Sequence, residues 1–313
     1  MGTDAMTLPT HDGAAPIISV VLPVYNADGY VREAVESVLE QTFRGFELLA
    51  LDDGSTDGSP RILRELEARD RRMHVISREN RGLVASLNEL IRVARGRYLA
   101  RMDADDICLP ERFEKQVAYL ETHPECVAVG SRSLFIDEQG MPICEHWNEL
   151  AHDQIDSAHI SGRVGSRICH PSTIMRREPI LQLGGYREEY LLAEDLDLFL
   201  RLAEIGKLAN LSEILIKYRH HARSICYTQA VKQRSIALKA VCAARQRRGL
   251  PVLPEAQFTY KPETKSELHR KWAWWALSAG NVITARKHAF KALGRGLLNI
   301  ESLRVVACAL RGY

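Results

Sequence analysis

Residues 46–57 read Phe46-Glu47-Leu48-Leu49-Ala50-Leu51-Asp52-Asp53-Gly54-Ser55-Thr56-Asp57, an apolar run that stops at a cluster of turn formers and helix caps. Such a run predicts a buried strand. The Asp, Gly, Ser and Thr behind it supply the turn and the N-cap that launch a helix through Leu63 and Leu66. The same unit recurs on both sides. Upstream, residues 17–22 form another continuous, β-branched run closed by Pro23, and 29–41 carry Val31, Val35, Val38 and Leu39 at helical spacing. Downstream, 73–76 predicts a strand, 83–94 a helix, and 98–102 a fourth strand ending on Asp103-Ala104-Asp105-Asp106. Strands alternating with helices of this length make βαβ units. The predicted fold is therefore α/β, a Rossmann-like, mostly parallel sheet flanked by helices, with ligands outside the carboxyl ends of the strands.

Further along, 115–122 predicts a helix and 126–130 a strand. Residues 131–167 read as irregular with short strands around Leu134 and Ile136, and 196–203 as a helix with Leu196, Phe199, Leu200 and Ala203 on one side. Beyond Ser224 the pattern is purely helical: 225–247, a proline-marked break at 250–254, then two helices on either side of Ala279-Gly280-Asn281. The expected organisation is a flexible N-terminus over 1–16, an α/β unit over 17–224 and a separate basic helical region over 225–313.

With 46% hydrophobic and 26% charged residues in 313, the chain is neither disordered nor fibrous in composition. No window approaches the ~20 apolar residues of a membrane-spanning helix, and the N-terminus lacks signal-peptide regions, so a cytoplasmic location is expected. Seven cysteines without a CxxC pair fit reduced thiols. The net charge of +2 hides an asymmetry: from Ala222 onward 17 Lys and Arg stand against four acidic residues, about +13, leaving about −11 upstream. Such polarity suits a tail that meets an anionic surface or ligand and an acidic part that wants cations; a basic helical face that merely solvates itself is the plain alternative. No nucleic-acid partner is expected.

Chemistry concentrates at Asp103-Ala104-Asp105-Asp106. Alternate carboxylates after a strand project into one crevice, where Mg²⁺ or Mn²⁺ takes oxygen ligands and keeps room for substrate phosphates. A metal on a diphosphate neutralises the charge that builds as that group leaves.

At this point the chain resembles the inverting family 2 glycosyltransferases of the GT-A, nucleotide-diphospho-sugar transferase fold. The resemblance spans about 17–224 and rests on ordered motifs: Ile18-Ser19-Val20-Val21-Leu22-Pro23-Val24-Tyr25-Asn26, Glu36 to Phe43, and Leu51 to Asp57. Asn80-Arg81-Gly82, Met102 to Asp106 with Pro110-Glu111-Arg112, Gly184-Gly185-Tyr186, Glu194-Asp195-Leu196-Asp197-Leu198 and Tyr218-Arg219-His220-His221 follow in order. It implies a nucleotide-sugar donor, UDP-linked on base rates, and an acceptor hydroxyl on a saccharide or lipid-linked saccharide of a bacterial surface polysaccharide or glycolipid.

By position, Pro23, Tyr25 and Asp53 look like the wall for the base, with the Asp53 carboxylate accepting a base N–H. Asp52 is read partly as a helix cap. Asn80 to Gly82 resembles a loop beside the donor; Asp103 and Ala104 look like nucleotide neighbours and Asp105 like the principal metal ligand. Asp106 either joins them or only orients the turn. The resemblance gives Asp195, beside Glu194, the role of base for the acceptor hydroxyl, and implies a single inverting displacement; helix N-terminal charge is the plain alternative for both. His221 fits a metal or diphosphate contact, with neighbouring His220 leaving the choice open. Gly185, Tyr186, Asp197 and His170 are acceptor-side candidates, His170 on an expected strand.

In the helical region Leu268, Trp272, Trp275 and Ala279 share one spacing and Ile283, Phe290 and Leu297 another, predicting an antiparallel hairpin. Trp272, Trp274 and Trp275 cannot all face inward, so an outward tryptophan near Arg270, Lys271, Arg286, Lys287 and Lys291 is expected at an anionic membrane surface. A helix-hairpin protein-interaction module is the other reading. Two other functions compete with the transferase. A sugar-nucleotide pyrophosphorylase or nucleotidyltransferase should carry a glycine-rich basic loop where Pro23-Val24-Tyr25-Asn26 stands, and a non-catalytic scaffold need not retain Asp105 and Asp195.

Overall fold

The computed structural model describes residues 15–162, 166–222, 224–254, 263–294 and 299–312. The elements, in chain order, are β1 (Ile18–Val24), α1 (Val31–Leu39), β2 (Phe46–Asp53), α2 (Ser59–Glu67), β3 (Met73–Arg78), α3 (Leu83–Val93), β4 (Tyr98–Arg101), β5 (Ile107–Cys108) and α4 (Arg112–Thr122). They continue as β6 (Cys126–Asp137), β7 (Pro142–His146), α5 (His152–Ile160), β8 (Ile174–Arg176), α6 (Arg177–Gln182), α7 (Glu194–Leu202) and β9 (Lys207–His220). The last are α8 (Ile225–Thr228), α9 (Ala230–Arg247), α10 (Lys265–Ser278), α11 (Val282–Leu293) and α12 (Ile300–Arg311).

One sheet holds all nine strands of the described residues, in the order β3-β2-β1-β4-β8-β6-β9-β5, with β7 paired to β6. Its first half, β3-β2-β1-β4, is wholly parallel; β8 runs antiparallel between β4 and β6, and β6 and β9 are parallel again. Helices on both faces explain why β1 and β2 are buried at every position rather than alternating. Val31, Ala34, Val35 and Val38 pack one helix on one face, and Val84, Leu87, Leu90 and Ile91 another on the opposite face.

Because β1, β2 and β4 run parallel, the turns after Val24, Asp53 and Arg101 open on the same edge. Two of these turns clamp each other: Asn26 Oδ1 accepts the Thr56 N–H at 2.8 Å, Ser59 Oγ the Ala27 N–H at 2.9 Å, and Asp57 Oδ2 the Asp28 N–H at 3.0 Å. Gly54, at φ +75°, lets the 78–82 loop close on this pair; a Cβ there would lie 2.7 Å from Asn80 N.

Four expectations are corrected. Within the stretch 131–167, residues up to 160 hold the end of β6, the hairpin strand β7 and α5, and a 14-residue strand, β9, runs where none was predicted. Register shifts near Ser131 and Arg132 interrupt the alternation that would have announced it. His170 lies on a short 3₁₀ turn, His170–Ser172, ahead of β8, not on a strand. In the C-terminal region the hairpin of α10 and α11 gains a third helix, α12. Its buried face on α11 is Thr284, Ala285, His288, Ala289 and Ala292, while Ile283 and Phe290 point to solvent; Leu297 lies outside the described residues, as do 1–14 of the N-terminus.

The expected outward tryptophan is the fourth correction. Trp272 is buried, and Trp274 and Trp275 are half-buried beside it, packed with Ile143 and Phe135 of the β6–β7 hairpin. Small residues on α11 make this possible: alanines let α10 approach closely, and the indoles fill the gap to the sheet. Most of the cations singled out are spent internally, Lys271 on Glu263, Lys287 on Asp137, Lys291 on Glu138, and Arg286 on the carbonyls of Ala309 and Leu310.

Candidate active site

Beneath the sheet edge lies a cleft of about 490 Å³, and Asp103, Asp105 and His221 line it together with Glu194, Asp195 and His170. β4 delivers the first group. After its last residue the chain turns, so that carboxylate oxygens of Asp103, Asp105 and Asp106 come within 4.8 Å of one another. Arg219 on β9 fixes this turn from outside: its N–H donates to Asp106 Oδ1 at 2.8 Å, its Nε to the Asp105 carbonyl at 2.7 Å and its Nη2 to Glu33 Oε2 at 2.6 Å. Arg101, 1% exposed, reaches from below to Asp103 Oδ1 at 2.6 Å.

The triad is electrostatically strained. Burial pushes the Asp103 carboxyl up against the pull of Arg101, with Asp105 pushing the same way. Asp106 is raised well above the usual carboxylate range, by burial first and then by Asp105 and Asp103. Its Oδ2 is buried with no hydrogen-bond partner among the described residues. Three oxygens that repel one another, one of them unsatisfied, form a donor set that fits a hard divalent cation. His221 completes it: Nε2 lies 3.0 Å from Asp105 Oδ2, and the ring stacks on Tyr30. His220 faces the other way, its Nδ1 2.7 Å from the Tyr227 hydroxyl among Phe135, Trp272 and Trp275, and burial lowers it to about 3. The geometry thus separates the two histidines.

Glu194 and Asp195 open α7. Ahead of them Leu192 is held at φ +89°, a conformation unfavourable for a branched side chain, and its N–H donates to Glu194 Oε2 at 2.8 Å. Burial, then the neighbouring Asp195, raises Glu194 to about 7. Burial raises Asp195 to about 6, despite N–H groups of its own helix turn. A carboxyl half-ionised near neutral pH is suited to taking and giving protons. Gln233, from α9, donates to the Leu192 carbonyl at 3.0 Å and also lines the cleft.

The other candidate residues do not line this cleft. Asp53 sits at the end of β2, 4% exposed, with Oδ1 accepting the Arg81 N–H and Oδ2 the Gly82 N–H, each at 2.8 Å, and Arg78 on Oδ1. Its carboxylate therefore shapes the Asn80-Arg81-Gly82 loop and keeps one lone pair, on Oδ2, for a further donor. Asp52 accepts the Ser55 N–H at 3.1 Å, capping the turn; α2 starts later, at Ser59. Pro23 and Ala104 are buried, whereas Tyr25 is exposed at the rim.

On the acceptor side, Asp197 is 1% exposed, and its carboxylate binds Arg201 at 2.8 Å and Arg187. An acceptor contact through Asp197 is excluded by that burial. Gly185 serves packing, its would-be Cβ only 2.4 Å from Asn88 Oδ1. Tyr186 is buried behind His170, its hydroxyl 2.7 Å from Nε2.

Sequence reading gives no role to Arg101, Arg219 or Gln233. Arg219 does stand inside the Tyr218-Arg219-His220-His221 motif, and Arg101 carries a signal of its own, a cation at the end of an otherwise apolar buried strand.

A family model described as glycosyl transferase family 2 matches residues 19–184. The amylovoran biosynthesis glycosyltransferase AmsE of Erwinia amylovora is 32% identical over 207 residues, covering 65% of this chain and 76% of that protein. Among solved structures, the mannosyltransferase PcManGT from Pyrobaculum calidifontis, in complex with GDP-Man and Mn²⁺, aligns over 97% of this chain and 84% of its own at TM-score 0.56 and 19% identity. S. aureus TarS 1–349 in complex with UDP-GlcNAc aligns over 94% of this chain and 92% of its own at TM-score 0.55 and 16% identity. At such identities the likeness speaks for the fold, which is the GT-A type.

Proposed function

Because the chain belongs to glycosyl transferase family 2, we propose that it moves a hexosyl group from a UDP-sugar to an acceptor hydroxyl by a single displacement that inverts the anomeric carbon. The observation that carries the reading is one cleft lined by both the acidic turn of Asp103 and Asp105 and the Glu194-Asp195 pair. Pro23, Tyr25, Asp53 and the Asn80–Gly82 loop form the nucleotide side, with Tyr25 free to lie against a base.

Asp103, Asp105 and Asp106, with His221 beside them, would hold Mg²⁺ or Mn²⁺, which when bound supplies charge neutralisation to the diphosphate. Asp195 takes the proton of the attacking hydroxyl, ionised above about pH 6. Glu194, fixed by the Leu192 N–H, holds the α7 start in place and, raised to about 7, is still largely protonated where Asp195 first ionises. Arg101 and Arg219 position the carboxylates, and both also line the cleft.

The acceptor is a saccharide, free or lipid-linked, in bacterial polysaccharide synthesis, a reading supported by the likeness to AmsE. Docking at an anionic membrane is the second half of the proposal. Its support is an unpaired apolar stripe, Ile283 and Phe290 on α11 with Ile300, Leu303 and Leu310 on α12, all exposed and flanked by Arg304 and Arg311.

Incubation with a panel of nucleotide sugars and Mn²⁺, read by release of the nucleoside diphosphate and by NMR of the product anomer, tests the catalytic half. Retention of configuration would reject the single displacement, and no turnover of any donor would reject the transferase.

A further inference from the structure

The β6–β7 hairpin walls the catalytic cleft on one side only. Phe135, His146 and Asn148 face the cleft, while Leu134, Glu145 and Trp147, which alternate with them in sequence, line a second cavity of about 570 Å³. Its far wall comes from the turn between α10 and α11, with Trp275, Ser278 and Asn281. The two hollows are thus separated by a wall one strand thick. A volume of this order holds a small organic ligand.

Trp147 is 70% exposed, an unusual position for an indole that the core does not need. It is nonetheless held firmly. The Arg132 guanidinium stacks on one face of the ring at 3.1 Å from the centroid, and Arg132 is itself tied to the Ser212 carbonyl at 3.2 Å and to the Glu145 carboxylate. A rigid aromatic plate with one face covered, the other open to water and a carboxylate at its rim has a definite chemical complement. A pyranose ring presents a flat face of C–H groups, which shed water against an aromatic surface, and hydroxyls at its edge, which donate to a carboxylate. The Arg132–Glu145 pair leaves the rim electrically balanced, which favours a neutral ring over an anion.

We propose that this cavity, with Trp147 as its platform, is a distal subsite that binds a further sugar unit of an extended saccharide acceptor. The inference rests on the transferase reading above and adds to it that the acceptor is an oligosaccharide long enough to cross the hairpin. Continuity argues for this occupant: Trp147 stands between His146 and Asn148, so a saccharide with its terminal unit in the cleft has the plate one strand away.

The full chain, with Mn²⁺ and UDP, is to be probed against immobilised bacterial surface polysaccharides and their oligosaccharide fragments graded by length. Binding that strengthens with length, falls about tenfold or more in Trp147→Ala and returns in Trp147→Phe is expected. Thermal midpoints check that the variants fold. Equal retention by wild type and Trp147→Ala would overturn the subsite, as would the absence of glycan binding while UDP and Mn²⁺ still bind. A fall in sedimentation coefficient in Trp147→Ala, the mark of a lost self-interface, would also overturn it. Failure to bind UDP at all would overturn the transferase reading and the subsite with it.

Discussion

Replacing Asp195 by Asn is expected to abolish transfer and at the same time to stabilise the fold at alkaline pH. The fold raises this carboxyl from an ordinary 3.8 to about 6, so its ionised form is disfavoured relative to the unfolded chain. At 1.36 kcal/mol per tenfold change in proton affinity, the full cost is about 3 kcal/mol above pH 7. That value already includes the opposing help of the Asp195 and Leu196 N–H groups. Asp195 is only half-buried, so solvent screens part of the cost and roughly 1–2 kcal/mol is the working figure. For a chain of this size that is about 2–4 °C in the thermal midpoint.

The pH dependence fixes the cause. A carboxyl raised on folding contributes stability in its protonated form, fully present below about pH 4 and lost as pH rises through 6. The variant cannot titrate there, so its advantage over the wild type should be complete at pH 8, shrink through pH 6 and vanish near pH 4. Differential scanning calorimetry across that range, in chelator to remove bound cations, measures it. A variant less stable than wild type at pH 8, or an offset of equal size at pH 4 and pH 8, would refute the assignment of Asp195 as a strained carboxylate at the site.

In the wild type, kcat/KM should fall about tenfold per pH unit below about pH 6 as the base takes up a proton, measured with saturating Mn²⁺. Asp105→Ala should weaken Mn²⁺-dependent UDP binding by about 10- to 100-fold in calorimetry, and an unchanged affinity would remove Asp105 from the ligand set. Asp137→Ala strands Lys287, 2.5 Å away, and His288, 3.1 Å away, in a buried site and should cost about 3–5 kcal/mol in urea unfolding. Glutamates at Ile300 and Leu303 should abolish co-sedimentation with anionic vesicles if α12 docks on them; equal sedimentation of wild type and variant would sink membrane docking.

Asp137 links two levels of the molecule. Burial alone would raise its carboxyl, but hydrogen bonds from His288 and Lys287 hold it well below the usual range, so the pair persists far into acid. Its carbonyl also accepts from Arg219 Nη1 at 3.3 Å, and Arg219 fixes the acidic turn. α11 therefore bears on the catalytic turn through two side chains, although the charge asymmetry in the sequence pointed outward. Lys287 and Lys291 contributed to that asymmetry while serving as internal partners of Asp137 and Glu138. Net charge counts cations but cannot say which carboxylate each one faces across some 150 residues of chain.

The legible and illegible parts of the site divide on the same ground. Asp103, Asp105, Glu194 and Asp195 stood out because their chemistry is local: carboxylates behind a strand or at a helix start have nowhere else to point. Asp197 carried the same chemical type and was misplaced. Arg201, four residues on, is the ordinary helical partner of a carboxylate and was visible in sequence, but the second cation, Arg187, reaches it only through the folded 187–193 loop. With one partner Asp197 would still have had oxygen to offer an acceptor; with two, and 1% exposure, it has none. The reverse holds for Trp147, which sequence periodicity left in an irregular stretch. It follows directly on β7, an edge strand paired to β6, so its place beside the second cavity is a fact of topology rather than of local pattern. A residue's availability to substrate is thus set by partners that fold in from afar, and this is why the carboxylates that line the cleft could be singled out from the sequence, whereas the burial of Asp197 and the exposure of Trp147 required the three-dimensional arrangement.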